Sequence, residues 1–486
     1  MKIMKSKAQK SKEYKILRFI SLVFIIMLMA VPFCSCEENE KNDEAGIQSG
    51  ETILVSESET EPDYSHEVGE SNGSVGLKYM KSGNCYYVSG IGSCTDYYII
   101  VPDRYNGLPV TTIAGKAFMN CGNIISIELG KNIKYIGDAA FMNCYKLLQI
   151  TMPTELKSLG THAFAHCYEL VDVRIPEGIE KLDYTFYWCE KLKTVTLPST
   201  LKEIGDFSFE LCKKLQSVNI PKGVTLIGDS AFYRCESIEK IVIPGTVGVI
   251  GPKAFNSCEK LESVVIEEGI TSIGEYAFAG CNNLKSVEIP EGVLSIENNA
   301  FVNCAIESVV LPESIETLGS YIFGGCANLK SVQMPQSIKT QTADQWFVDC
   351  ISLTESTIPD GVVTMEGAFS GCHALKRVKL PASLKNILDS SFYDCSALEI
   401  FTVPEGVQQL GKNVFANCAG LKEIHLPASL IYINNLAFYD DFALKKIVFA
   451  GTCEQWSNIR PTNVYYDNVP DEYGYVVICS DGELKY

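Results

Sequence analysis

The chain has 486 residues, 41 lysines and arginines against 59 aspartates and glutamates, and a formal charge of −18. A nucleic-acid binder needs a basic face or stripe, and none is visible in so acidic a chain, so that class of partner is set aside. With five histidines but 20 cysteines and 22 phenylalanines, the composition offers little for acid–base catalysis and directs attention to how Cys and Phe recur.

The first element is a basic stretch (Lys2, Lys5, Lys7, Lys10, Lys12, Lys15, Arg18) followed by an apolar run of 15 residues from Phe19 to Phe33. That is the length of a secretory h-region and falls short of the roughly 20 residues a membrane-spanning helix needs. The run ends in Val31-Pro32-Phe33-Cys34-Ser35-Cys36. Cys36, preceded by the small Ser35, resembles the lipobox cysteine of bacterial lipoproteins, although Phe33 departs from the usual leucine at the third position before it. The resemblance implies a signal peptide over 1–35, a lipid on Cys36 and a location on the outer cell surface. Ordinary signal cleavage nearby, or an uncleaved anchor, is the alternative.

Residues 36–73 form the second element. From Glu37 to Gly73 there are twelve acidic residues against one lysine, with much Ser, Gly and Asn. Nothing there can bury a core, so the segment reads as a disordered acidic tether, reaching roughly 35 Å on average. Residues 1–35 carry seven basic residues and one acidic residue, so their removal takes the formal charge from −18 to −24.

Residues 74–110 read as an N-terminal cap, with strand-like runs at Tyr86-Tyr87-Val88 and Tyr97-Tyr98-Ile99-Ile100-Val101, then Tyr105-Asn106-Gly107-Leu108-Pro109-Val110. Cys85 and Cys94 lie here and are candidates for a disulfide if the protein is secreted.

From 111 to 449 a phenylalanine returns every 22 to 24 residues, fifteen times from Phe118 to Phe438. In fourteen units a cysteine follows three places later, from Cys121 to Cys418, and in the fifteenth Asp441 takes its place. A fixed period of this length means stacked modules in a solenoid. Each unit reads as a strand alternating apolar and polar (Val287-Glu288-Ile289), a proline that ends it, a Gly turn, an Ile-Gly pair such as Ile273-Gly274, and an Ala-Phe segment expected to make one helical turn. One unit buries about five apolar side chains, too few to offset the ordering of its chain, so the units hold one another. Equivalent cysteines in stacked units point the same way, which favours a buried, reduced thiol column over disulfides. Paired Cys-x-x-Cys spacing for zinc is lacking.

Residues 450–486 read as the C-terminal cap, with Gly451-Thr452, Glu454-Gln455-Trp456 and a last strand from Tyr475 to Cys479. Cys453 and Cys479 are a second candidate pair.

The unit strand-Pro, Ile-Gly-x-x-Ala-Phe-x-x-Cys-x-x-Leu closely resembles the BspA-type leucine-rich repeat of bacterial surface proteins, over about residues 77 to 486. The resemblance implies a curved right-handed solenoid with a parallel sheet on its concave face and turns on its convex face. It also implies adhesion to, or binding of, extracellular or host proteins, with no catalytic residues and no cofactor.

Within each strand the residue between two buried ones faces outward. Val242 and Val265 are adjacent in that column and Val310 follows two units on, a possible apolar patch for a ligand; a plain preference of strands for valine is the simpler alternative. The repeat is weakest from Lys339 to Cys350, where Trp346 replaces the usual small residue before Phe347 and is expected to distort the stack or turn outward as a second ligand-facing candidate. Trp188 is a third. His162 and His166 have the i, i+4 spacing of zinc ligands on a helix but lack a metalloprotease glutamate, so they are expected to face solvent. The expectation is a monomeric, non-catalytic, surface-tethered binding module without metal; a structural spacer of the cell envelope stands as the alternative.

Overall fold

The fold was obtained as a computed structural model, which describes residues 73–434, 436–459 and 474–486. The chain divides into two units, Met1–Asp63 and Tyr64–Tyr486, and all described residues belong to the second. The expected signal peptide, Cys36 and the tether as far as residue 72 lie outside them.

Each turn of the solenoid supplies two short strands to two parallel ladders. The first ladder takes the alternating segment: Ser286–Glu288 buries Val287 and exposes its neighbours. Its register is in phase with the repeat, Ile241 beside Val264 and Val264 beside Val287. Proline then ends the strand, and a left-handed glycine turns the chain, as at Gly361 (φ +101°), where a Cβ would strike the Ile338 carbonyl of the preceding turn. The second ladder takes the pair before the next bend. There Ile204, Ile227, Ile250, Ile273, Ile296 and Leu318 stand in one unbroken register. At Gly274 a Cβ would lie 2.6 Å from the Ile250 carbonyl oxygen, so close approach of successive backbones explains the glycine.

The Ala-Phe segment is not helical, contrary to expectation. The residues two before and two after the phenylalanine are left-handed in almost every turn, such as Asn299 (φ 58°) and Asn303 (φ 58°) around Phe301. The reason is where the N–H groups go. Phe301 donates sideways to the Ile322 carbonyl (3.0 Å) and Asn303 to Gly324 (2.8 Å); a helix would direct them along its own axis. Left-handed residues aim these groups at the next turn and form a third ladder. Among the described residues helix is confined to a 3₁₀ turn at Gly245–Val247 and the α-helix Cys453–Ile459.

Inside, the rings from Phe118 to Phe438 stack nearly parallel, with successive centroids 5.2–6.1 Å apart. Each fully buried ring contributes on the order of 1.5–3 kcal/mol. Beside them runs the thiol column. From Cys144 onward each free, buried cysteine donates its S–H to the phenylalanine carbonyl of the preceding turn, for example Cys281 to Phe255 (3.3 Å) and Cys395 to Phe369 (3.1 Å). The same carbonyl accepts the N–H of its own turn's cysteine, as Phe255 does from Cys258 (3.3 Å). Cysteine therefore recurs because the site suits a small apolar atom that is also a weak donor. Burial raises the Cys167 and Cys235 thiols well above the ordinary value.

Both ends are covered. The antiparallel hairpin of Lys78–Ser82 and Cys85–Gly90 lies parallel to Leu108–Ile113 and starts the second ladder, while Tyr98–Val101 is the first rung of the first. At the other end Lys446–Phe449 pairs with Val476–Cys479, which turns back antiparallel as Gly482–Lys485. Trp456 of the adjoining helix is buried against this end and meets the Phe449 ring at 5.6 Å.

Candidate functional site

The outward column of the first ladder carries an apolar strip. Val242 and Val265 are direct neighbours in register, and 49% and 51% of their surface is exposed. Glu288 follows Val265, and Val310, 57% exposed, stands beside Gln333 on the next turn. The same column then enters a hollow of about 550 Å³ lined by Gln333, Met334, Gln336, Thr357, Asp360 and Lys379, with prolines 335 and 381 at its wall.

A local fault in the stack makes this hollow. Between Ser331–Gln333 and Glu355–Thr357 the first ladder keeps a single pairing, Ser331 with Glu355, before full register resumes from Glu355–Thr357 to Arg377–Lys379. Ser356 occupies the inward position that Val332 and Val378 hold on either side, and its buried hydroxyl has no partner. The strip thus presents apolar surface at one end and, at the other, a carboxylate, an ammonium, two amides and a hydroxyl around a concavity. Sequence reasoning missed the hollow. Its signals were the 24-residue unit and the serine in a column of valines.

Trp346 is not on this surface. It is fully buried, so of the two expected outcomes the stack is distorted and the ring does not turn outward, which removes Trp346 from the ligand-facing candidates. Three residues before it Ala343 stands in the second ladder where neighbouring turns carry Leu318 and Met365. A small residue there and a large one at 346 would together keep the core volume, the kind of exchange that cores tolerate best. The ladder is interrupted there, and the Thr340 hydroxyl takes up the slack by accepting the Leu318 N–H (2.8 Å).

Trp188 lies half-buried on the turn face, left-handed (φ 60°), its indole N–H donating to Glu190 (2.8 Å), which also holds Lys213 (2.8 Å). It belongs to an aromatic cluster that sequence spacing did not suggest. His162 stacks on Tyr184 (4.4 Å), Tyr184 on Phe207 (4.7 Å), and His166 meets Tyr168, Tyr187 and Trp188 at 5.2–5.8 Å. The two histidines are therefore partly buried ring partners, not solvated side chains, and burial lowers the pKa of both. They flank Phe164 in left-handed turns, so their spacing carries no helical meaning. Nearby, burial and the Asp229 charge push Glu210 up to about 7, and one of its oxygens is buried without a partner.

Cys85 and Cys94 are free thiols, the former donating to the Ser82 carbonyl (3.1 Å). Cys453 and Cys479 are brought together with Asp481, their ligand atoms within 4.8 Å of one another.

The profile of the BspA-type leucine-rich repeat region matches in six copies, over residues 111–185, 182–274, 248–367 and 340–459. The chain belongs to this family. A leucine-rich repeat protein from Bacteroides ovatus shares 25% identity and superposes with a TM-score of 0.55, covering 82% of this chain and 98% of that one. A leucine-rich cell surface protein from Faecalibacterium prausnitzii is 24% identical, covering 81% and 98%, with a TM-score of 0.45. No curated protein matches. BspA-type repeats are as a rule non-catalytic modules of protein interaction at surfaces, and the chain is a solenoid of this type with little helix.

Proposed function

We propose that this protein is a surface-tethered, non-catalytic module that binds an extracellular or host protein along the strip from Val242 to the hollow at Lys379. The observation that carries the reading is the exposed pair Val242 and Val265, neighbours in register, with a concavity of mixed polar donors and acceptors further along the same column. An apolar patch rimmed by polar groups is what a protein partner buries. Trp188 offers a lesser second contact on the turn face. Lipid attachment at Cys36 would place the module on the outer cell surface, and the acidic segment after it would hold the solenoid away from the membrane.

The test is a screen of the immobilised chain against purified extracellular proteins, followed by affinity measurement on the strongest binder with Val242→Glu/Val265→Glu and with Lys379→Glu. Both variants are expected to weaken binding at least tenfold while thermal melting stays unchanged. Unchanged affinity would place the contact elsewhere, and the absence of any binder would favour a structural spacer. Metabolic lipid labelling that persists in Cys36→Ala would refute the anchor.

A further inference from the structure

The C-terminal cap holds two cysteines outside the thiol column. Cys453 opens the helix Cys453–Ile459, and Cys479 ends the strand Val476–Cys479. The two segments are already tied by backbone groups: the Cys453 N–H donates to Asp481 Oδ1 (2.7 Å) and the Ser480 N–H to the Gly451 carbonyl (2.9 Å). Both sulfurs and an Asp481 oxygen lie within 4.8 Å of one another. Cys479 is buried, whereas Cys453 is partly exposed, so a reagent in solution meets the pair at Cys453. From Cys144 onward the column thiols are sealed in the core, each engaged with a carbonyl.

We propose that Cys453 and Cys479 form a disulfide that fastens the last hairpin of the solenoid to the cap helix, made by exchange with a small or protein-borne disulfide oxidant. The Cys453 thiolate attacks one oxidant sulfur and expels the other as a thiolate, giving a mixed disulfide. The Cys479 sulfur then attacks that of Cys453 and displaces the remaining oxidant thiolate, giving up its proton through solvent. Two cysteine thiols become one S–S bond, the oxidant's S–S bond becomes two thiols, and the two protons lost by the cysteines are taken up by the expelled thiolates. The cluster offers three ligand atoms, one short of the four that close a structural zinc site. One Asp481 oxygen is also committed to the Cys453 N–H. A disulfide removes both protons and leaves no buried charge. Its structural consequence is at an edge: Val476–Cys479 and Gly482–Lys485 are the final strands over the first ladder, and an edge strand that frays exposes unpaired backbone.

The full chain is incubated with oxidised glutathione, alkylated in guanidinium and digested without reductant. The expected product is one linked peptide pair containing Cys453 and Cys479, lighter by two hydrogen atoms and separated by dithiothreitol. Dithiothreitol is expected to lower the melting temperature of the oxidised chain by several degrees and to leave that of Cys453→Ser unmoved. Recovery of both cysteines as separately alkylated peptides would overturn the proposal. So would stoichiometric zinc that co-purifies with the chain and is lost in Cys453→Ser. Should that variant fail to fold, the peptide map of the unaltered chain decides by itself.

Discussion

Between Phe209 and Phe301 the solenoid is almost uniform, whereas between Phe323 and Phe369 it is disturbed, and the two stretches show what the fold does and does not require. In the first, ring centroids are 5.2–5.5 Å apart and the second ladder runs without a break, although the first ladder is reduced to a single bridge at Ser217, to Thr194, before it resumes at Lys240–Ile243. In the second, the Phe323–Phe347 separation widens to 6.1 Å, the second ladder is interrupted and the first is reduced to one pairing. The sideways bonds of the turn face nevertheless persist, Phe323 to the Trp346 carbonyl at 3.0 Å and Phe347 to Ala368 at 2.9 Å. The stack therefore survives a changed sequence if core volume and one lateral ladder are kept. What it loses is a flush strand face, and the hollow lies where that face fails.

The sharpest way to break the comparison is at Trp346. Trp346→Ala should cost about 3–5 kcal/mol through the cavity it leaves. Ala343→Leu should cost about 1–3 kcal/mol by overpacking the same space. If the two residues compensate, Ala343→Leu/Trp346→Ala will be destabilised by clearly less than the sum, measured by urea unfolding. Strict additivity would show that Ala343 does not make room for the ring.

The thiol column gives a milder contrast. Cys258→Ala in the uniform stretch should cost about 1–2 kcal/mol, because it removes a buried sulfur and the donor to the Phe232 carbonyl. At the end of the column the replacement is natural: Asp441 is buried, one oxygen accepts the Cys418 N–H (2.7 Å) and the other has no partner. Burial holds its carboxyl well above the usual 3.8. A raised folded pKa means stability that is complete below the unfolded value and falls as pH rises through the folded one. Asp441→Cys is therefore expected to stabilise by about 1–2 kcal/mol at neutral pH. Urea titrations should show the gain shrinking as pH falls towards 4, and a gain independent of pH would exclude the carboxyl as its source.

Much of this was legible in the residues. The Phe and Cys period specifies stacking, and the alternation Val287-Glu288-Ile289 tells which strand residues point out, so Val242, Val265 and Val310 could be placed before any coordinates. Periodicity separates inside from outside but says nothing about the compensation of one core residue by another three places away. Trp346 was therefore misplaced while Ala343 went unnoticed. The turn face was misread for a different reason. Ala-Phe looks helical by composition, but its torsions are decided by hydrogen bonds to the next turn, which no local propensity records. A signal did exist: Asn, Asp, His or Gly stands two places after the phenylalanine in most turns, at Asn120, Asn143, His166, Gly280, Asn303 and Asp349 among others, and these residue types tolerate a left-handed backbone best.

Four consecutive turns break that habit, with Trp188, Leu211, Arg234 and Ser257 at the left-handed position after the phenylalanine, where the disturbed stretch has Gly325, Asp349 and Gly371. Ser257 (φ 58°) is the cleanest place to measure what the left-handed backbone costs. Its N–H donates to the Ala279 carbonyl (2.7 Å), and the equivalent residue on the next turn is Gly280, which leaves open space above the serine. The same arrangement recurs where Asn303 leans over Gly325 and Asp349 over Gly371. Asparagine should fit at 257 without displacing anything and ease the backbone, so Ser257→Asn is expected to stabilise by about 0.5 kcal/mol. Leu211→Asn should do the opposite, because that leucine is only 8% exposed and loses burial. A Ser257→Asn melt no higher than that of the unaltered chain would mean that the left-handed turns carry no measurable strain.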